Sequence, residues 1–259
     1  MKKSLRLLFA GKKAIFAFII LVLAGLSAVV PARAQSAAPS EKWQFEITPY
    51  FWFSGLKTEI KTGLLPEQEM DVSFSDLSKL VDLGLAGMFE GRKGRLGFLI
   101  DGMYVDLGKT VTTPLGEVDL GMKQGSFSLA MFYRAVEGKA ALDLLGGGRY
   151  SNMSNDLKLT SGALAGRQTS STDFWVDVFG GARLQIFLAK WLAFVGYADI
   201  GAGGTKLSWQ AYAGMDVRFS KVFWGKVGYR YSYFDRESDD NEFLKLTKAG
   251  IYAGLGIRF

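Results

Sequence analysis

From Ala249 to the last residue every second side chain is apolar (Ala249, Ile251, Ala253, Leu255, Ile257, Phe259), and between them stand Gly250, Tyr252, Gly254, Gly256 and Arg258. A period of two belongs to an extended strand whose side chains point alternately to opposite faces. The same pattern opens at Trp43, where Trp43, Phe45, Ile47, Phe51 and Phe53 alternate with Gln44, Glu46, Thr48, Tyr50 and Trp52. After residue 34 no apolar run is long enough for a helix to cross a bilayer, which excludes a helical membrane bundle. What remains is a chain of strands with two chemically different faces.

Ten such strands are expected, at about 43–53, 82–92, 95–107, 120–136, 139–158, 172–186, 191–203, 207–219, 222–235 and 243–259. Pro49 lies inside the first, where a bulge would accommodate its missing N–H. Connections near Lys93, Gly138, Ala189 and Ser220 are tight turns, whereas those at 55–81, 108–119, 159–171 and 236–242 are longer, with 204–206 the exception. An even strand count with short turns on one rim and long loops on the other describes a closed antiparallel transmembrane β-barrel. Eight strands is the alternative count, should one hairpin lie outside the membrane.

The charges test this scheme. With faces assigned by their apolar sets, Glu46, Glu90, Asp101, Asp143, Asp177 and Asp216 point inward, together with Arg149, Arg183, Arg218, Lys226, Arg230 and Lys248. Each basic residue facing lipid near the midplane would instead cost about 2–4 kcal/mol. The rival fold, a soluble β-sandwich, would place these charges in water and the Leu, Val and Phe faces in a shared core. It accounts for neither the two classes of connection nor the terminal Phe259.

The chain starts with Lys2, Lys3, Arg6, Lys12 and Lys13, an uncharged run from Ala14 to Val30, then Pro31 and the small-residue pattern Ala32-Arg33-Ala34. That order is expected for a secretory signal over 1–34, cleaved after Ala34, followed by a flexible leader at 35–42 and the barrel at 43–259. The formal charge of +6 belongs to the signal, since residues 1–34 hold six Lys or Arg and no acid, leaving 25 of each sign. A neutral mature chain gives no support for nucleic-acid binding. Without Cys there are no disulfides or thiolate metal sites, and without His neither a Ser-His-Asp arrangement nor a His-ligated metal centre can be built. No cofactor is expected, and an enzyme would have to work through Ser or acidic residues alone.

Two resemblances narrow the expectation. The final segment, with Tyr252, Leu255, Ile257 and Phe259, resembles the C-terminal strand by which bacterial outer-membrane barrels are read by the barrel assembly machinery. The segments Ile47-Thr48-Pro49-Tyr50-Phe51-Trp52, Asp71-Val72-Ser73-Phe74-Ser75-Asp76-Leu77, Asp101-Gly102-Met103-Tyr104-Val105-Asp106-Leu107 and Gly228-Tyr229-Arg230-Tyr231 resemble an uncharacterised proteobacterial family grouped with OmpA-like and porin-like small barrels. The resemblance implies a Gram-negative outer membrane with periplasmic termini, and lipid and lipopolysaccharide as partners. It carries no reaction and no catalytic residues.

Candidate sites follow from this frame. Inward charges of mixed sign should pair in a structural network; the sharper alternative is a narrow path for ions or small solutes, with Arg149, Arg183, Arg218 and Arg230 facing Asp143, Asp177 and Asp216. In the 55–81 connection Val72, Phe74, Leu77 and Leu80 lie near helical spacing, with Ser73 as cap and Asp76 in the first turn, so a short helix is expected that stabilises the mouth, gates it or meets an extracellular partner. The 236–242 run is acidic but lacks calcium-loop spacing and is expected to be a solvated loop. Gly146-Gly147-Gly148 and Gly201-Ala202-Gly203-Gly204 are expected to allow close strand packing, and several of Trp43, Trp191, Trp209, Trp224, Tyr229, Tyr231 and Tyr233, near strand ends or on alternating faces, to form interfacial girdles. An envelope structural protein with narrow-pore passage is the leading expectation; a surface adhesin or ligand-binding barrel acting through its first loop is the alternative.

Overall fold

The computed structural model describes residues 42–61, 68–113, 116–161, 165–237 and 243–259. The expected signal, nearly all of the leader, and most of the acidic 236–242 run lie outside the described residues. The elements are β1 (Gln44–Lys61), β2 (Gln68–Val72), α1 (Phe74–Leu77), β3 (Val81–Lys93), β4 (Leu96–Thr113), β5 (Gly116–Val136), β6 (Ala140–Leu159), β7 (Gln168–Ala189), β8 (Leu192–Gly203), β9 (Leu207–Arg218), β10 (Phe223–Glu237) and β11 (Phe243–Arg258).

β1 pairs antiparallel with β3, each strand from β3 to β10 pairs antiparallel with the next, and β11 returns to β1 through a ladder from Glu46↔Arg258 to Lys61↔Phe243. The fold is therefore a closed ten-stranded antiparallel barrel, to which β2 adds an eleventh strand by pairing with the upper part of β1. Pro49 causes no register shift, because Ile47↔Ile257 and Tyr50↔Gly254 keep the same offset on either side of it.

Three connections expected as loops contain strand. The β4–β5 ladder continues to Thr113↔Gly116, β7 begins at Gln168, and β1 runs on to Lys61 before β2 and α1 complete the first connection. Walls that rise beyond an apolar belt carry polar residues on both faces, and such strands read as loops in sequence.

Outward residues form an apolar belt that includes Val178 at 72 %, Phe51 at 68 % and Leu85 at 62 % exposure. A surface of this kind in water is an association hazard, and in hydrocarbon it is matched to its solvent. Aromatic rings bound it. On the turn side Phe45 stacks within 5.5–5.9 Å of Trp43, Phe89 and Phe259, and on the loop side Trp209 stacks 4.6 Å from Tyr231. Along β10, Phe223 and Tyr233 are separated by about 33 Å of strand, or about 25 Å along the normal at a tilt near 40°. That is the height of an outer-membrane apolar band. Two expected girdle residues are exceptions: Trp224 faces the lumen, with the Arg258 guanidinium 3.7 Å from its ring centroid, and Tyr229 lies near the middle of the band.

Val227 lies on the outer face near the middle of this band and is half exposed. Val227→Arg is expected to lower stability in lipid vesicles by about 2–4 kcal/mol, measured by urea unfolding, because the guanidinium has no lumen to enter.

Candidate functional site

The lumen is the site, and alternation along the strands builds it. Toward the turn side, fully buried Asp143 on β6 accepts from Arg134 Nε at 2.7 Å and from Arg183 Nη2 at 2.8 Å, and Arg183 also reaches Glu90 at 2.8 Å. Opposite, Lys226 lies between Glu46 and Asp216, with Asp216 3.5 Å away, and Arg258 also contacts Glu46. These groups belong to eight different strands, and pairs such as Arg183–Glu90 and Arg258–Glu46 tie together parts of the wall that are distant in sequence. Arg218 stands apart at the turn-side rim, exposed, its Nε donating to the Ser220 carbonyl at 3.0 Å.

A second layer crosses the middle. Arg149 Nη2 donates to both carboxylate oxygens of Asp199, at 2.9 and 2.8 Å, and Tyr197 and Gln210 donate to the same carboxylate. Arg230 donates to Asp101 at 3.2 Å, to Tyr50 Oη at 3.0 Å and to Gln210 Oε1 at 2.8 Å, while Tyr50 donates to Asp101. A buried charge left without such partners would be destabilising, which is why this interior folds only as a network.

Above this layer the chemistry changes. Asp177 accepts from Thr205, from its backbone N and from its hydroxyl, both at 2.8 Å, and among the described residues no arginine pairs with it. Leu56, Phe234 and Leu246 then form a buried apolar cluster, against which Leu77, Met122 and Met153 pack. Between the two zones lies Lys248, buried at 6 % exposure. Its Nζ is 3.4 Å from Gln124 Oε1 and 5.3 and 5.8 Å from the ring centroids of Trp52 and Phe234. Among the described residues no carboxylate pairs with it.

Two spaces interrupt the packing. One of about 100 Å³ lies at the centre and touches Asp101, Arg230, Tyr212 and Tyr252; the other, of about 400 Å³, opens toward the turn side beside Glu46, Arg92, Trp224 and Arg258. Both are bordered by Arg183, Gln185, Asp216 and Lys226. The larger of these two spaces is thus the one on the turn side.

The first connection is anchored at several points. Ser73 caps α1, its Oγ accepting from Asp76 N at 3.3 Å, and the Lys79 ammonium, with the Ser73 hydroxyl, holds the Asp76 carboxyl below the usual carboxylate range. Phe74 meets Phe53 edge-on at 5.2 Å on the outer side of the wall, Leu77 joins the inner apolar cluster, and the Leu80 carbonyl accepts from Gly108 N at 2.8 Å. In the last strand Tyr252 turns inward against Tyr50 and Tyr212, whereas Leu255, Ile257 and Phe259 lie on the outer face.

Sequence reasoning missed Arg134 and Asp199. Their inward neighbours, Ala130 and Phe132 on β5 and Val195 and Tyr197 on β8, are apolar or aromatic, so hydrophobicity alone does not tell the two faces of these strands apart. The register would have done so, since Arg134 stands opposite Asp143.

No protein-family model and no curated protein matches the sequence. Among solved structures the chain is similar to the outer membrane protease OmpT from Escherichia coli, with a TM-score of 0.54 at 9 % identity, covering 87 % of this chain and 99 % of that one. Weaker likenesses include Ail, the attachment invasion locus protein of Yersinia pestis (TM-score 0.35, 13 % identity, 85 % and 99 % covered), and the translocator domain of the autotransporter NalP from Neisseria meningitidis (0.36, 14 %, 95 % and 98 %). The likeness to OmpT is one of fold: both chains are outer-membrane-type β-barrels.

Proposed function

We propose that the protein is an integral barrel of the outer membrane of a Gram-negative bacterium, an OmpA-like small barrel with a structural role in the envelope, whose lumen is closed to ions and small solutes at rest. The observation that carries this reading is the stacking inside the wall: two layers of buried ion pairs lie beneath an apolar cap of Leu56, Phe234 and Leu246. A conducting path would have to displace that cap as well as break paired charges. The first connection serves as a brace, since Phe74 grips the wall from outside and Leu77 from inside.

In this reading residues 1–34 direct export, 35–42 are a periplasmic leader, and both termini stay periplasmic. Tyr252, Leu255, Ile257 and Phe259 are offered to the barrel assembly machinery, and the aromatic girdles face lipid and lipopolysaccharide. No catalytic step is assigned.

Refolding residues 35–259 into phosphatidylcholine vesicles and following osmotic swelling in arabinose and glycine tests it. Heat-modifiable gel mobility reports folding, and folded protein is expected to swell vesicles no faster than empty controls. Swelling that depends on solute size would overturn the closed lumen, and folding that proceeds equally well without a bilayer or detergent would overturn the membrane reading.

A further inference from the structure

The wall of the barrel is divided at one place. β1 and β3 pair from Gln44↔Arg92 to Pro49↔Gly87 and then separate. Above that point β3 continues with β4 alone, while β1 continues with β11 and, from Leu56 to Ile60, with β2. Among the described residues no ladder joins Tyr50–Gly55 to Val81–Ala86. Phe45 exchanges backbone hydrogen bonds with Phe259 on the β11 side, so alternation directs the backbone groups of Tyr50, Trp52 and Ser54 toward the division.

The division lies within the apolar belt, because Phe51, Phe53, Leu83 and Leu85 beside it are all exposed on the outer face. Open backbone of this kind does not face hydrocarbon unaided; polar groups of lipid or protein must meet it. α1 crosses its upper end, with Phe74 outside and Leu77 inside. On the lumen side the inward residues along the β3–β4 edge of the division form an apolar wall, of which Ala86, Met103 and Val105 are only half-buried and Leu107 is buried. On the β1 edge of the division the Trp52 ring lies between two cations, 5.0 Å from the Arg230 guanidinium and 5.3 Å from Lys248 Nζ. Arg230 has its carboxylate; Lys248, the more deeply buried, has none among the described residues.

We propose that the division between β1 and β3 is a lateral portal from the outer leaflet, through which an anionic acyl amphiphile is held with its chain against Met103 and Val105 and its acidic group on Lys248. Three features require this class of ligand together. The side entry selects molecules dissolved in the membrane, the half-open apolar wall takes a chain, and the unpaired ammonium takes an acid. The inference rests on the membrane reading above, and it is compatible with a lumen closed along its axis because entry is sideways.

Protein in phosphatidylcholine nanodiscs, shown to be folded by heat-modifiable mobility, can be titrated with 11-bromoundecanoate. The share of emission from Trp52 is obtained by difference from Trp52→Phe. Saturable quenching of that share is expected, with apparent affinity reduced about tenfold or more by Lys248→Met, as loss of a charge-assisted contact implies. Val105→Phe, which crowds this apolar wall, should abolish it, and the methyl ester should bind wild type no better than the acid binds Lys248→Met. A second arm uses nanodiscs containing chain-brominated phosphatidylglycerol. Quenching in this arm alone identifies a bilayer lipid as the source, and quenching by the acid alone a free fatty acid. Folded protein whose Trp52 is quenched in neither arm, or for which Lys248→Met and the ester change nothing, would overturn the proposal. Failure to fold in the nanodisc would instead count against the membrane reading.

Discussion

Arg149→Ala is expected to destabilise the barrel by about 3–5 kcal/mol, because it strands a carboxylate in the lumen rather than merely removing a contact. Arg149 is 1 % exposed and donates to both oxygens of Asp199, whose remaining partners, Tyr197 and Gln210, are neutral donors. Urea unfolding in lipid vesicles measures the loss. The double variant Arg149→Met with Asp199→Leu should recover at least half of it, since no ionised group is then left buried. A loss below about 1 kcal/mol for Arg149→Ala would mean that water reaches Asp199 and that the middle layer is not packed.

Gly147→Ala is expected to cost about 3 kcal/mol or more and to slow barrel closure, seen as loss of the fast-migrating folded band. Gly147 faces inward where β5 and β6 press together, and a Cβ there would lie 2.0 Å from the Leu129 carbonyl oxygen and 2.7 Å from Ala130 Cα. Both are backbone atoms, so no side chain can rotate away to make room. Gly102→Ala is the matched control: nothing lies within 4 Å of its added Cβ, and a change within about 0.5 kcal/mol is expected. Equal losses at the two positions would mean that strand propensity, rather than close approach of β5 and β6, sets the requirement for glycine.

The wall was legible wherever lipid imposes a strict alternation. On β10, Lys226 and Arg230 alternate with Val227 and Tyr229, and on β11 Lys248 alternates with Ala249 and Ile251, so the faces of these strands could be assigned from sequence. Strand ends were not legible, because beyond the belt both faces meet water and the contrast disappears. Residues 109–113 are strand through their pairing with β5, not because of any apolar period. The short helix could be read from its cap: Ser73 and Asp76 stand where the first turn needs an acceptor and an acid, and α1 begins at Phe74.

Pairing of the inward charges could be read only in part: Arg183 meets Asp143, as expected, but most partners were not legible. Asp177 was expected among carboxylates facing arginine and instead binds Thr205, in the short β8–β9 connection, while Arg149 finds Asp199 fifty positions away. Which acid meets which base depends on how far strands shift as the barrel closes, and one sequence does not contain that shear. The division between β1 and β3 was hidden for a related reason. Both segments alternate normally, and only their registers show that they part after Pro49↔Gly87.

Single-channel recording of the refolded protein in a planar bilayer is the most direct test of a lumen closed by paired charges and an apolar cap. Wild type is expected to remain silent across voltage and salt. Phe234→Ala combined with Leu246→Ala, which opens the cap, is expected to give brief, small steps. Discrete steps from wild-type protein, with an ion preference that changes in Arg183→Ala or Asp177→Ala, would contradict a closed lumen and make the protein a narrow channel.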